Sequence, residues 1–79
     1  MTPAPTVTLA TGEAVDSSDP KWRDECFKRW ERVLSARGKT MWFVRTMLAA
    51  VERDEGTEAK RRLESALRED LAAHRGGAQ

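Results

Sequence analysis

One cysteine, Cys26, and one histidine, His74, occur in the 79 residues, and these are the side chain types that most often carry nucleophilic or metal chemistry. A thiolate is activated when a cysteine meets a base, and a structural zinc site needs four such ligands. Cys26 lies between Trp22 and Trp30 at helical spacing, where a small apolar side chain is the ordinary occupant. His74 falls in the last turn of a C-terminal helical pattern, where positive charge complements the helix terminus. Asp24/Glu25, Asp54/Glu55 and Glu69/Asp70 are acidic pairs along the chain only, because adjacent helical positions point about 100° apart. They read as surface charge with no acid–base role. Gly38-Lys39-Thr40 resembles the end of a phosphate-binding loop, but that loop's first glycine would stand where Val33 is, and no strand pattern precedes it. The expectation is a protein without catalytic residues, metal ligands or cofactor: not an enzyme.

The elements that position these residues follow from periodicity and punctuation. Residues 1–5, with two prolines, are expected to form a tail, and residues 76–79 a frayed end. Residues 6–15 alternate Thr with Val7 and Leu9 around Thr11-Gly12, which predicts a short β-hairpin or extended arm that must lie on helices to persist. Asp19-Pro20 is a helix start, and a first helix is predicted over about 20–37, ended by Gly38. Its Trp22, Cys26, Trp30 and Val33, widened by Phe27 and Leu34, form one stripe suited to a core. A second helix is predicted over about 41–54, capped by Thr40 and broken by Gly56; a third spans about 58–74, capped by Thr57.

The second helix is apolar over much of its circumference: Val44, Met47, Leu48 and Val51 on one face, Phe43 and Ala50 beside them. It is therefore expected to be the central helix, or to meet a second copy. In the third, Leu63, Leu67, Leu71 and His74 share a face, and Glu58–Arg62 and Glu64–Arg68 are expected i,i+4 pairs on the outside. The fold class is mainly α: a single three-helix domain over residues 6–75 with an N-terminal arm.

Fourteen bases against thirteen acids leave a net charge of +1, which excludes the bulk character of a strongly basic nucleic-acid protein. The charge is nevertheless segregated. Residues 1–20 hold three acids and no base, 21–45 hold eight bases and three acids, and 46–79 hold six bases and seven acids. Lys21, Lys28, Arg29, Arg32, Arg37 and Lys39 are thus the candidate nucleic-acid-binding set, against the plainer reading of a solvated helix face. A major-groove reader is not expected, because the second helix opens with Met41-Trp42-Phe43-Val44, which cannot read base edges by hydrogen bonds.

Three tryptophans without a tyrosine are the least ordinary feature of the composition. Trp22 and Trp30 fit the predicted core stripe. Trp42 projects from the less apolar side of the second helix with Arg45, Thr46 and Arg53, and Trp with Arg is enriched where interfaces concentrate their energy. Trp42, Arg45, Thr46, Arg53, Arg37 and Lys39 are the candidate partner-binding residues; burial of Trp42 beneath the arm is the competing reading.

The block Val7-Thr8-Leu9-Ala10-Thr11-Gly12-Glu13-Ala14-Val15, then Ser17-Ser18 and Trp22-Arg23-Asp24-Glu25-Cys26, resembles small proteins of tailed phages and prophages in which a Thr/Gly arm precedes a Trp-Arg-x-Glu-Cys helix. Val51-Glu52-Arg53-Asp54-Glu55-Gly56, with Ala59 and Leu63, is similar to a second block of that family. The likeness covers about two-thirds of the chain, departs at Phe27-Lys28-Arg29, and implies an origin without a chemistry.

With no apolar run approaching roughly 18 residues and no signal-peptide pattern, the expected location is the bacterial cytoplasm. The expected function is an accessory phage or prophage protein acting by protein–protein binding on a host or phage protein. Inhibition of a host defence in the manner of an anti-CRISPR is one specific form of it. The alternatives are a non-specific nucleic-acid binder or transcriptional accessory, and a minor virion component. A homodimer is compatible with each.

Overall fold

The computed structural model describes the backbone of residues 4–77 and the side chains of residues 4–74. The element order is β1 (Thr6–Thr8), β2 (Ala14–Asp16), α1 (Pro20–Ala36), α2 (Met41–Glu55) and α3 (Thr57–Gly77), a mainly α, three-helix fold with an N-terminal antiparallel hairpin. The expected tails at residues 1–3 and 78–79 lie outside the described residues.

The hairpin pairs Thr6 with Asp16, Val7 with Val15 and Thr8 with Ala14. Gly12, at φ +96°, turns the chain, with its amide donating to the Leu9 carbonyl at 2.8 Å. Leu9 is buried and Ala10 packs against the helical core, so the arm persists by contact rather than by its own ladder. Pro5, expected in a free tail, instead accepts from the Ser17 amide at 2.9 Å, because the ladder runs one step past β1.

Each helix begins where local chemistry provides acceptors for free amides. The Asp19 side chain accepts from the Lys21 amide at 2.8 Å, with Pro20 at the first helical position. Thr40 accepts from the Phe43 amide at 3.2 Å; capping, not phosphate binding, is what Gly38-Lys39-Thr40 does here. Thr57 differs from expectation. Its hydroxyl meets Glu52 at 3.5 Å, and the first bond of α3 runs from the Lys60 amide to the Gly56 carbonyl. Gly56, at φ +99°, ends α2 and opens α3 at once, a conformation open to glycine and costly to other residues. α3 also continues to Gly77, past the expected end at His74, since a glycine lowers helix propensity by only about 1 kcal/mol.

The packing order corrects the expected one. α3, not α2, is central: it lies against both α1 and α2, which touch each other far less. Glu25–Arg62 near the start of α1 and Arg37–Asp70 beyond its end set α1 parallel to α3, whereas the single residue Gly56 returns α3 antiparallel to α2. Val33, Val51, Ala59 and Leu63 form the buried cluster, with Met47, Leu48, Ala66 and Leu67 packed on it. Because α2 does not cover α1, the wide apolar stripe of α1 is buried along one edge only. Val33 is 2% exposed, but Trp30 is 49%, Phe27 61% and Leu34 42% exposed. These three leave the expected core, and Cys26 is half-buried. Leu71, on the expected core face of α3, is exposed as well.

The result is a slab, 43 × 35 × 15 Å. No helix among the described residues is long and apolar enough to cross a membrane. Because the core is this thin, Leu63→Ala is expected to cost about 2–5 kcal/mol. Leu71→Ala is expected to cost less than about 1 kcal/mol. Urea denaturation followed by circular dichroism checks the difference.

Candidate functional site

Two surfaces hold the residues singled out from the sequence, and an ion-pair network decides which of them are free. Glu25 is the centre of that network. Its Oε1 accepts the Ala10 backbone amide at 2.7 Å, while Oε2 accepts from Arg62 at 2.7 Å and Arg29 at 3.2 Å. One carboxylate therefore ties the arm to α1 and α3. Partial burial pushes the Glu25 carboxyl up, but the Ala10 amide and the two guanidinium groups outweigh it and hold the pKa below its ordinary value. Arg62 is the second branch point. It also donates to Glu58 at 2.8 Å, which Arg61 and then Arg62 pull down to a pKa of about 2. The expected Glu58–Arg62 pair is present, yet Arg62 is only 19% exposed and faces inward to Glu25 rather than outward. Glu64 and Arg68 approach at 3.9 Å.

The other acids that follow an acid in sequence act likewise. Asp70 receives two bonds from Arg37, at 3.1 and 2.7 Å, which hold its carboxyl below the usual range. Glu55 pairs with Arg32. Reading these three acidic pairs as surface charge alone missed that Glu25, Glu55 and Asp70 each tie separate segments together.

The candidate nucleic-acid set is consequently divided. Lys21 faces Glu13 at 3.2 Å, and Arg29, Arg32 and Arg37 face Glu25, Glu55 and Asp70. Lys28 has no ion-pair partner among the described residues, and the Lys39 ammonium stands 5.8 Å from the centroid of the Phe43 ring. Lys21, Lys28, Arg29 and Arg32 do line one cleft between the arm, α1 and the end of α2, but Asp24, Glu25, Asp54 and Glu55 line it too. Its charges balance.

The partner-binding set is divided differently. Trp42, 74% exposed, is not covered by the arm. Arg45, Thr46, Ala49 and Arg53 are exposed with it, and at 100° per residue all five fall on one stripe of α2, opposite the face that meets α3. The Thr46 hydroxyl donates to the Trp42 carbonyl at 2.8 Å, and among the described residues Arg53 pairs with its neighbour Asp54 alone. Arg37 stands apart from this stripe: besides binding Asp70, it lies 5.4 Å from the Trp30 ring centroid. That guanidinium and ring border an open cleft between α1 and α3 lined by Cys26, Val33, Ala66 and Asp70. His74 closes one end, its Nδ1 3.0 Å from the Asp70 carbonyl. Among the described residues no His/Cys/Asp/Glu group could hold a metal ion.

Comparison with family models, curated proteins and solved structures returns no match. What the arrangement supplies is a charge-locked scaffold carrying two uncovered stripes: an apolar one on α1, and one on α2 in which Trp42 stands among Arg45, Thr46 and Arg53.

The lock has a pH signature. A carboxyl whose folded pKa lies below its unfolded value contributes stability above the unfolded value and loses it as pH falls through the folded one. With Glu25 and Asp70 lowered and Glu58 at about 2, stability should hold from neutrality to about pH 4.5 and decline toward pH 2. Glu25→Gln should remove about 1–2 kcal/mol at pH 7 and flatten that decline. Denaturant midpoints measured across the range check both.

Proposed function

We propose that this chain is a small binding protein that occupies another protein's surface through the outer stripe of α2, with Trp42 as anchor and Arg45 and Arg53 beside it. The observation that carries the reading is the 74% exposure of Trp42 on a helix whose other face is already occupied by α3. A bare tryptophan is costly in water, and Trp and Arg are the residues whose truncation most often weakens interfaces. Thr46 and Ala49 between them are small enough to let a partner approach the helix closely. The segments that resemble phage and prophage proteins support an accessory role in a bacterial host, with a counter-defence inhibitor as its specific form.

Nucleic-acid binding has less support. Its affinity would come from freely presented cations, and Lys21, Arg29, Arg32 and Arg37 each face a carboxylate of this chain.

The test is to identify the bacterial protein that tagged chain retains, then repeat the capture with Trp42→Ala and Arg45→Ala. Trp42→Ala should weaken capture by roughly 30-fold or more while moving folding stability by less than about 0.5 kcal/mol. Unchanged capture by both variants contradicts the reading. A mobility shift of duplex DNA at low salt that vanishes at high salt supports the nucleic-acid alternative instead.

A further inference from the structure

We infer that the N-terminal arm is a strap that opens as one unit while the three helices stay assembled, and that its opening uncovers the floor of a cleft at Ala59 and Leu63. None of these residues belongs to the outer stripe of α2, so the inference does not rest on the function proposed above.

The division of bonds at Glu25 is the first argument. Among the described residues its Oε1 bonds to the arm alone, accepting the Ala10 amide at 2.7 Å, whereas Oε2 accepts from Arg62 of α3 at 2.7 Å and from Arg29 of α1 at 3.2 Å. Detaching the arm therefore breaks one bond of this carboxylate and leaves the tie between α1 and α3 in place. Glu25 is partly open to solvent, so water replaces the amide at Oε1. No buried polar group is left without a partner, the outcome that makes broken hydrogen bonds costly.

The weakness of the other attachments is the second argument. Leu9 is the arm's one buried side chain among the described residues. Lys21 and Glu13 meet at 3.2 Å with side chains 63% and 50% exposed, and a pair so open to water contributes little. The ladder joins only three residues to three, too few to stand alone, so the strands separate once Leu9 leaves its seat. The start of α1 does not depend on the arm, because Asp19 caps it through the Lys21 amide. Residues 17–19 are thus the hinge.

The third argument is what the arm covers. Ala10 packs against the buried cluster, and with Thr11 it lines the cleft that reaches Ala59 and Leu63. Leu63 is 1% exposed with the arm closed. Segments with few buried contacts open at free energies below that of global unfolding, and this one opens onto the most deeply buried side chain of the core.

Native-state hydrogen exchange of the full chain, followed amide by amide, tests the inference. Leu9, Ala10 and Ser17, whose amides bond to Glu13, Glu25 and Pro5, should share one protection factor within about 3-fold, lower by roughly 100-fold than those of Leu63 and Leu67 in α3. Thiol labelling gives a second readout. In chains carrying Cys26→Ala, Leu9→Cys and Val51→Cys each place a thiol at a buried position, one in the arm and one in α2. The thiol at position 9 should react roughly 100-fold faster than that at position 51, with the helical circular dichroism of both variants kept. Arm amides protected as strongly as those of α3, rapid exchange at Ala10 while Leu9 keeps the protection of the helices, or equal reactivity at positions 9 and 51 overturns the inference.

Discussion

Glu25 is the point at which three separated pieces of the chain are made one structure. Its two oxygens accept an amide of the arm and guanidinium groups from α1 and α3, and it is 19% exposed, so the contacts are neither fully screened nor fully desolvated. The requirement for such a hub comes from the apolar core, whose buried members are Leu9, Val33, Val51, Ala59 and Leu63. Burying so few side chains leaves little surplus over the entropy of ordering the backbone. Exposed ion pairs add little individually; shared carboxylates and guanidiniums with several bonds each are the geometry in which they add most.

The same constraint explains the open surfaces. α1 is held beside α3 by charges at its two ends and by Val33 between them, and this attachment does not require the full width of its apolar stripe. α2 is held by the short turn at Gly56 and by Val51, Met47 and Leu48, which leaves its far side uncovered. A thicker bundle would consume both stripes in its own core. Here the thin core and the uncovered surfaces are two aspects of one packing choice.

Much of this was legible in the sequence because it depends on local chemistry. Asp19-Pro20, Thr40, Gly38 and Gly56 mark helix ends through bonds that form within a few residues, and Thr11-Gly12 marks the hairpin turn in the same way. The exposure of Trp42 was one of two readings that helical spacing permits. What the pattern could not convey is which helix covers which. A stripe such as Trp22, Cys26, Phe27, Trp30, Val33 and Leu34 says that a face is apolar, not how much of it meets a neighbour, so the placement of Trp30, Phe27 and Leu34 in the core was wrong, as was a central α2. The Glu25 hub was hidden for the same reason. Its partners Ala10 and Arg62 are 15 and 37 residues away, and the only readable trace was the excess of bases at 21–45 facing acids elsewhere in the chain.

The central claim, that the Glu25–Arg62 contact is what holds the arm and α1 onto α3, is tested most directly by a double-mutant cycle. Folding free energies would be measured for wild type, Glu25→Gln, Arg62→Gln and the double variant at low ionic strength. The account predicts a coupling energy of about 1–3 kcal/mol, with exchange of the Ala10 amide accelerated in every variant that lacks the carboxylate. Additive effects, with Ala10 protection unchanged, would contradict it.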